Sequence, residues 1–422
     1  MTNAPLARRL GLTDAVVIGA SAMIGAGVFA VFAPAAKAAG TWLLAGLGLA
    51  VVVALCNATS SAQLAAVHPT SGGTYVYGRK QLGHWWGFAA GWCFVIGKTA
   101  SCAAMATTFA AYTVPEAWQR PVAAAAVVAL TLVSRRGVTR TAGLARAILA
   151  VVVLGLLVAL AAALLGGGTP AARSGTAVLT LEPPVTALGV LQAAGLIFFA
   201  FAGYARIATL GEEVRDPART IPLAIVATLL AVAVLYVAVA ATLLSVLGPD
   251  GLAASDAPVA DAVAAGTWAW AGPVVRVGAA AACLGALLAM LAGVGRTSLA
   301  MARERDLPRY LAAVHPRFGV PHRTESAVAA VVVVAVLVAD LREIIGFSSV
   351  GVLLYYAIAN VSALTQRPNE RRYPRWVQVL GVIGCLVLVV TLPTVSVLTG
   401  LGVLAVGLLG RLLSRRTRPA TP

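Results

Sequence analysis

Long apolar runs separated by short polar segments dominate the sequence. A membrane-crossing helix needs about 20 consecutive apolar residues, and about twelve runs meet or approach that length. In chain order these spans 1 to 12 cover residues 13 to 37, 41 to 67, 85 to 114, 121 to 134, 142 to 165, 187 to 211, 221 to 247, 271 to 302, 324 to 340, 343 to 364, 376 to 391 and 393 to 413. The pattern predicts an all-α polytopic membrane protein, in which spans 4 and 11 are short.

The composition agrees with this pattern. Hydrophobic residues make up 60% of the chain and charged residues 11%, and the mean hydropathy is +0.91, far from the values of a soluble domain. The longest polar segments lie at about 248 to 270 and 303 to 323, so we expect any binding site within the helix bundle or at its mouths. The five cysteines all fall within spans without metal-ligand spacing, and we interpret them as packing residues.

Basic residues are distributed unevenly between the two sides of the predicted bundle. Of the 31 lysines and arginines, four lie in loops on the side opposite the N-terminus: Arg120, Arg173, Arg276 and Arg342. Four more lie within spans: Lys37, Lys98, Arg206 and Arg296. The rest, which include Arg146 and Arg411 at the ends of spans 5 and 12, lie on the N-terminal side, which by the positive-inside rule places both termini in the cytoplasm of a multi-pass protein of the cell membrane. We therefore assign the net charge of +16 to orientation and anionic lipid, not to nucleic acid; the sequence indicates no protein partner.

Two spans carry glycine-rich interruptions. Span 1 contains "GASAMIGAG" at residues 19 to 27, and span 6 contains "FFAFAGYARIATLGEE" at residues 198 to 213. A broken helix frees backbone groups that hydrocarbon cannot satisfy, so the break must line a cavity or meet a ligand. The half-helix that begins near Gly27 would offer N–H groups to a carboxylate, and the preceding half would offer carbonyls to an ammonium. Close helix packing through small residues is the alternative interpretation.

The interruptions also bear on topology. They fall at matching places in two blocks of five spans, which is typical of an inverted repeat with the binding site at its interface. "GASAMIGAGVF", "FAFAGYARIATLGEE" followed by "RDPARTIP", and "GRTSLAMARERDLPRYLAAVHPRFGVPH" resemble signatures of the amino acid-polyamine-organocation superfamily, and the likeness extends over roughly residues 10 to 413. It implies a LeuT-type fold with two inverted five-helix repeats and two peripheral helices. The implied units are a cytoplasmic N-terminus at 1 to 12, repeats at 13 to 165 and 187 to 364, peripheral helices at 376 to 413 and a basic cytoplasmic tail at 414 to 422.

The resemblance further implies a substrate site at the two breaks. The substrate carboxylate would bind the span 1 backbone at Ile24, Gly25, Ala26 and Gly27. The Ser21 hydroxyl would donate an additional hydrogen bond to it. The substrate amino group would face carbonyls at Met23, Phe199, Ala200 and Ala202. Phe201 and Tyr204 flank Gly203, and an aromatic side chain here would close over the substrate as a gate, unless both rings only pack within the bundle.

Lys98 is the charged residue nearest the middle of span 3. A central lysine costs about 2.5 to 3.5 kcal/mol on insertion scales, so we expect its ammonium to face the protein interior. Lys98 is a candidate for ion coupling or substrate sensing. Alternatively, it is a structural tether that donates hydrogen bonds to carbonyls at the broken helices. Many proton-coupled relatives in the resembled family carry a lysine in the fifth helix, whereas span 5 has none and the aligned position falls near Val152. Proton coupling through Lys98, uniport and exchange therefore stay open.

The inner end of span 6 departs from the family pattern as well. Relatives often have an acidic residue just after the glycine-aromatic pair, whereas Ala205 and Arg206 stand there in this chain. Together with Lys98, this favours neutral or acidic amino acids over lysine or arginine as substrates. Arg206 is alternatively part of an inner salt-bridge gate, whose other candidates are Asp14, Glu212, Glu213 and Arg296.

These observations predict a secondary transporter that moves amino acids by alternating access. No G-x-x-x-x-G-K-[ST] pattern occurs, so a gradient would drive transport; no metal or organic cofactor is expected, and a proton is the candidate coupling ion. An exporter or an amine/amino acid exchanger would share the same motifs. A sensor that binds amino acids without transporting them is a further alternative, whereas an enzyme is not expected because no catalytic constellation is present.

Overall fold

Helices make up nearly all of the structure. The computed structural model describes residues 10–69, 72–136, 142–165, 186–208, 210, 213–268 and 270–416. Its α-helices, numbered in chain order, are α1 (Leu12–Ile24), α2 (Gly27–Ala30), α3 (Phe32–Ala39), α4 (Leu43–Val67), α5 (Thr74–Gln81), α6 (His84–Thr113), α7 (Glu116–Arg135), α8 (Ala142–Leu165), α9 (Ala187–Phe201), α10 (Ala205–Ala208), α11 (Pro217–Ala254), α12 (Pro258–Ala264), α13 (Ala271–Arg303), α14 (His322–Val338), α15 (Leu341–Leu364), α16 (Arg375–Thr391) and α17 (Thr394–Arg416).

The helices are those of a membrane protein. Ten stretches within the described residues are long and apolar enough to cross a bilayer, and they coincide with spans 1 to 8, 10 and 12. Spans 9 and 11 correspond to α14 and α16, which have 17 residues each, the lower limit for a crossing helix. The prediction of an all-α polytopic membrane protein is confirmed. Twelve crossings, cytoplasmic termini and the two five-helix repeats stay predictions.

Two segments are more helical than the sequence predicted. Helix α7 has 20 residues, so span 4 is not short; its first turn carries Glu116, whose charge favours a helix N-terminus. Helix α11 continues into the segment predicted as a loop, with a kink at Gly248, where φ is +67°. A left-handed conformation of this kind costs a glycine little. Helix α12 then occupies much of the remaining segment.

Small residues allow close packing at the centre of the bundle. Helix α6 packs against α13 and α15, and its buried face is mostly Gly, Ala, Ser, Thr and Cys. A Cβ atom at position 351 on α15 would lie 2.9 Å from the Gly97 Cα atom on α6, so these helices cross with their backbones in contact, as small residues permit in membranes. This crossing lies one residue from Lys98 and thereby helps to place its side chain.

The bundle has two distinguishable ends. We call the end that holds Asp14 the inner end and the opposite end, which holds Lys37, the outer end. By the distribution of basic residues the inner end is predicted to face the cytoplasm. The N-terminal residues 1–9 and the tail residues 417–422 lie outside the described residues.

Candidate functional site

The break in span 1 falls where the glycine pattern predicted it. Helix α1 ends at Ile24 and α2 begins at Gly27, and Gly25 between them leaves helical geometry with φ −38° and ψ −121°. A Cβ atom at position 25 would lie 2.6 Å from the Ala286 Cβ atom of α13. Helix α13 therefore packs directly against this break, and a side chain at position 25 would push it away.

The break in span 6 takes the form of a short 3₁₀ turn. Helix α9 ends at Phe201, a 3₁₀ turn covers Ala202–Tyr204, and α10 follows from Ala205. A 3₁₀ turn is tighter than an α-helical turn and has weaker hydrogen-bond geometry. The chain is thus tightened at this point, whereas span 1 is interrupted at Gly25 and Ala26, of which only Gly25 departs from helical φ and ψ.

The two breaks lie against each other. A Cβ atom at position 27 would be 2.7 Å from the Ala200 Cβ atom, and one at position 203 would be 2.5 Å from the Ala22 carbonyl oxygen. Only glycine fits at either place without a shift of backbone. The structure brings together and buries all twelve residues predicted to bind substrate: Ser21, Met23, Ile24, Gly25, Ala26, Gly27, Phe199, Ala200, Phe201, Ala202, Gly203 and Tyr204.

Tyr236 of α11 joins the two breaks, and the sequence analysis did not identify it. Its hydroxyl donates to the Met23 carbonyl at 2.7 Å and lies 3.3 Å from the Ala200 carbonyl oxygen. These are two of the carbonyls that were predicted to face the substrate amino group. The available signal was weak, since Tyr236 is a single polar aromatic residue within a long Ala, Val and Leu run. Phe201, a predicted gate, packs against the Tyr236 ring with centroids 5.1 Å apart.

Lys98 contacts the span 6 break. Its side chain is buried, and its Nζ atom donates to the Ala202 carbonyl at 3.1 Å. The Tyr356 hydroxyl of α15 donates to the same carbonyl at 3.4 Å. None of the ion pairs among the described residues includes Lys98. The observed geometry is that of the predicted tether, and a coupling role stays a prediction.

Tyr204, the second predicted gate, lies in an aromatic cluster. Its ring stacks on Tyr356 with centroids 5.0 Å apart, and Phe198 and Tyr355 meet the other sides of Tyr356 at 5.8 Å and 5.0 Å. Aromatic pairs at such distances add to the stability of packing. In this conformation the Tyr204 ring packs within the bundle.

The predicted inner gate network has a different partner from the one expected. Asp14 forms an ion pair with Arg146 of α8 and accepts a hydrogen bond from the Gly11 N–H. Arg146 was not among the predicted gate residues. Of the predicted gate residues, Arg206 and Arg296 are exposed. Arg296 forms no ion pair with any residue that the structure describes. Glu212 lies outside the described residues.

A backbone contact closes the same region. The Leu10 N–H donates to the Glu213 carbonyl at 3.0 Å, and the Arg215 N–H donates to the Leu10 carbonyl at 2.9 Å. Glu213 thus contributes its main chain to this contact. The segment before α1 is bound to the segment after span 6, so the inner ends of spans 1 and 6 are held together.

A second inner network was missed by the sequence analysis. Asp306, after α13, forms an ion pair with Arg411 of α17 at 2.7 Å, and both side chains are buried. The Tyr75 hydroxyl donates to the other Asp306 oxygen at 3.0 Å and accepts from Arg79, which pairs with Glu304 at 2.8 Å. Burial and the Asp306 charge raise the pKa of the Tyr75 phenol. An arginine within the apolar span 12 was the available signal.

A cavity of about 660 Å³ opens at the outer end. Its lining residues include Ala30, one turn beyond Gly27, and Thr107 of α6. Its rim carries charged residues of both signs from spans 1 and 4, the segment before α12 and the start of α15. The outer end is therefore accessible down to the helix that begins at the span 1 break, whereas the inner end is held by the contacts described above.

Comparison with known proteins identifies the family. The profile of a family described as amino acid permease matches residues 10–405. The chain belongs to the amino acid permease family. The resemblance to the amino acid-polyamine-organocation superfamily is thereby confirmed, and this permease is a membrane transporter rather than an enzyme.

Relatives of this permease cover nearly the whole chain. An uncharacterized transporter of Mycobacterium tuberculosis is 56% identical over 98% of this chain and 93% of its own length. The branched-chain amino acid permease BcaP of Bacillus subtilis is 26% identical over 96% of this chain and 92% of its own length. Cationic amino acid transporter 4 of Homo sapiens is 28% identical over 87% of this chain and 61% of its own length. Amino acids are thus the substrates expected of the family, and the relatives differ in the kind of amino acid that their names state.

Proposed function

We propose that this permease carries neutral amino acids across the cytoplasmic membrane as a secondary transporter, and that the substrate binds between the breaks of spans 1 and 6. The observation that carries the proposal is the contact between the breaks, where Gly27 lies against Ala200 and Gly203 against Ala22. A small displacement of either break would open a space lined by main-chain groups of both. Such broken helices at the bilayer midplane are typical of transporter binding sites.

The backbone groups at the breaks suit the two charges of an amino acid. The helix that begins at Gly27 would offer its first N–H groups and positive dipole end to a substrate carboxylate. The Met23 and Ala200 carbonyls already share one hydroxyl donor from Tyr236. A substrate ammonium has three donors and a full charge, so it would replace the hydroxyl with stronger hydrogen bonds. Binding would then exchange an internal contact for a substrate contact.

The charges near the breaks favour neutral substrates. The Lys98 ammonium lies at the Ala202 carbonyl, and Arg206 follows on the next helix. A lysine or arginine side chain would meet the like charge of the buried Lys98 in a region of low dielectric. The surrounding Ala200, Ala202 and Ala286 side chains are small and apolar, which would suit an aliphatic side chain once the breaks move apart. The name of the BcaP relative agrees with this substrate class.

Alternating access requires that the two ends open in turn. At the inner end the Asp14–Arg146 ion pair and the Leu10 main-chain contacts bind spans 1, 5 and 6 together. At the outer end the cavity extends to Ala30. We propose that release toward the cytoplasm breaks the inner contacts while the outer cavity closes, and that a proton or substrate gradient supplies the energy.

Uptake and counterflow in proteoliposomes test the proposal. A panel of radiolabelled neutral, acidic and cationic amino acids and amines is offered with and without an imposed proton gradient. Accumulation of neutral amino acids by the wild type, abolished by Gly27→Leu, is the expected result. Gly48→Leu is the matched control, because a Cβ atom at position 48 meets nothing within 4 Å.

The other outcomes distinguish the alternatives. Counterflow without accumulation would identify an exchanger or uniporter. Gradient-driven transport only in the outward direction would identify an exporter. Amino acid binding without flux would identify a sensor. Preference for cationic amino acids would contradict the substrate class, and equal uptake by Gly27→Leu and wild type would contradict the site.

A further inference from the structure

A buried carboxyl group on α14 belongs neither to the substrate site nor to the inner contacts. Glu325 lies in the first turn of α14, and only 2% of the residue is exposed. A Cβ atom at position 295 would lie 2.9 Å from the Glu325 Cγ atom, so this side chain packs directly against the α13 backbone. Carboxyl groups within membrane helices are costly, and they commonly mark ion or proton sites. The burial of Glu325 therefore calls for a functional explanation.

The Glu325 carboxyl group is only half satisfied. The Ser134 hydroxyl of α7 donates to it, whereas its Oε2 atom has no hydrogen-bond partner among the residues that the structure describes. No ion pair within the described ranges includes Glu325 either. A carboxylate that is buried without a counter-ion is far more costly than a neutral carboxylic acid, so such a group binds a proton. In this conformation the surroundings of Glu325 thus suit its protonated form.

Two arginines lie near Glu325 without pairing with it. The charges of Arg296 on α13 and Arg135 on α7 act on the carboxyl group, yet neither arginine forms an ion pair within the described part of the chain. Arg296 is exposed and directly follows Gly295, against which Glu325 packs. A movement of the inner end of α13 would bring the Arg296 guanidinium to an ionised Glu325. The resulting ion pair would compensate the buried negative charge.

Other charged and titratable groups around α14 are engaged with partners of their own. On α6, which also packs against α14, Lys98 donates to the span 6 break. On α14 itself, the Arg323 guanidinium lies over the Tyr310 ring at 4.2 Å, and the His322 ring meets His315 with centroids 5.4 Å apart. Histidine titrates near neutral pH, so an experiment must distinguish His322 from the buried carboxyl group.

We propose that Glu325 is a proton-binding site, which holds its proton while the inner end is closed and exchanges it for an ion pair with Arg296 when the inner end opens. In that step the O–H bond of the carboxylic acid breaks and the proton passes to water at the inner end. The carboxylate that remains then accepts hydrogen bonds from the guanidinium.

Helix α13 connects this proton site to the substrate site, and this link to transport rests on the proposed function. The helix packs against Glu325 at Gly295 and against the span 1 break at Ala286. These two positions are about 14 Å apart along the helix, at a rise of about 1.5 Å per residue. A displacement of α13 would therefore change the surroundings of both sites together.

Infrared difference spectroscopy of the purified full-length protein at a series of pH values tests proton binding directly. A protonated carboxyl group gives a C=O stretching band that disappears on ionisation. We expect Glu325→Gln to remove one such band. Glu116→Gln is the matched control, because Glu116 also lies in the first turn of a helix but is exposed.

Variants of α13 test the exchange of the proton for an ion pair. In Arg296→Gln the band should persist to higher pH than in the wild type, because the ionised carboxylate has lost its partner. Arg303→Gln changes another exposed arginine of the same helix, and it should leave the titration unchanged.

Proteoliposomes with separately set internal and external pH connect the site to transport. Glu325→Gln resembles the protonated form permanently. We therefore expect counterflow by the wild type to rise with internal pH, and counterflow by Glu325→Gln to stay at the low rate of the wild type at acidic pH. Loss of proton-driven accumulation in the variant would identify a transported proton, whereas a loss confined to the response to internal pH would identify a proton from the cytoplasm. Both results support the proton site.

The remaining outcomes separate this site from the proposed function. An unchanged infrared titration in Glu325→Gln overturns the proton site, whether or not amino acids are transported. A pH dependence of counterflow that is lost in His322→Gln and kept in Glu325→Gln overturns the link to transport. If the wild type transports no amino acid, the proposed function is contradicted, and the infrared titration still decides proton binding. Should Glu325→Gln fail to fold, equal titrations of Arg296→Gln and Arg303→Gln overturn the proposal.

Discussion

Gly203 of span 6 lies against the Ala22 backbone of span 1, where a Cβ atom would come within 2.5 Å of the carbonyl oxygen. We predict that Gly203→Ala separates the breaks, costs about 1 to 3 kcal/mol of folding free energy and abolishes amino acid uptake. Thermal melting and uptake in proteoliposomes measure the two effects. Gly402→Ala is the control, because a Cβ atom at position 402 meets nothing within 4 Å. Normal uptake by Gly203→Ala would show that close approach of the breaks is dispensable.

Tyr236 provides a second prediction, because its hydroxyl serves carbonyls of both breaks. Tyr236→Phe leaves two buried acceptors without this donor, at a cost of about 1 to 3 kcal/mol. A substrate ammonium would then satisfy carbonyls that have no competing donor. We therefore expect a lower melting temperature without substrate and a larger rise on adding substrate than in the wild type.

Melting curves of Tyr236→Phe with and without a transported amino acid test this expectation. Tyr310→Phe is the control, since Tyr310 is exposed and phenylalanine keeps the aromatic ring that makes its contacts. An unchanged or smaller substrate-induced rise in Tyr236→Phe would mean that the hydroxyl assists binding or takes no part in it.

The local features of the site were predictable from the sequence, and the contacts between helices were not. Glycine at positions 25 and 27 predicted the break in span 1 because glycine lowers the local cost of leaving the helix. The same argument placed an interruption in span 6 but not its form: the Ala202 carbonyl is held by Lys98 and Tyr356, and the chain keeps a 3₁₀ turn. Those donors stand on spans 3 and 10, and their proximity depends on packing.

The inner contacts illustrate the same limit. Asp14 was predicted to join an ion-pair network, and its charge and position near the start of span 1 were sufficient for that. Its partner Arg146 stands on span 5, and the sequence offers several other arginines at the inner end. The Asp306–Arg411 pair joins residues about a hundred positions apart. Which arginine meets which carboxylate is decided by the order of helices in the bundle, and a single sequence does not encode that order in any local pattern.

Lys98 carries a prediction that separates coupling from tethering. Lys98→Met removes the charge and the hydrogen bond to the Ala202 carbonyl. If Lys98 couples proton movement to transport, the pH dependence of uptake should change by more than the apparent affinity. Uptake rates between pH 5 and 9 measure both quantities. Lys80→Met controls for loss of a lysine, as Lys80 is exposed at the inner end. An unchanged pH profile with intact flux would assign Lys98 to the tether alone.

The buried ion pair between Asp306 and Arg411 provides a last prediction, about the inner end. Both side chains are almost fully buried, and the Arg411 guanidinium lies over the Phe88 ring at 4.5 Å. Removing one member of such a pair leaves an uncompensated charge, which typically costs about 3 to 5 kcal/mol. We expect Arg411→Met to lower the melting temperature strongly, and Arg411→Met with Asp306→Asn to recover part of the loss.

The neighbouring Arg79–Glu304 pair is the internal comparison for this experiment. It has the same N···O distance to within 0.1 Å, but the Glu304 side chain is half exposed, so water can solvate whichever charge remains. Glu304→Gln should therefore cost no more than about 1 kcal/mol. Equal losses in Glu304→Gln and Arg411→Met would show that burial does not set the strength of the inner contacts. A large difference, with partial recovery in the double variant, would show that Asp306 requires its arginine because it is shielded from water, and that α17 is thereby bound to the loop after α13.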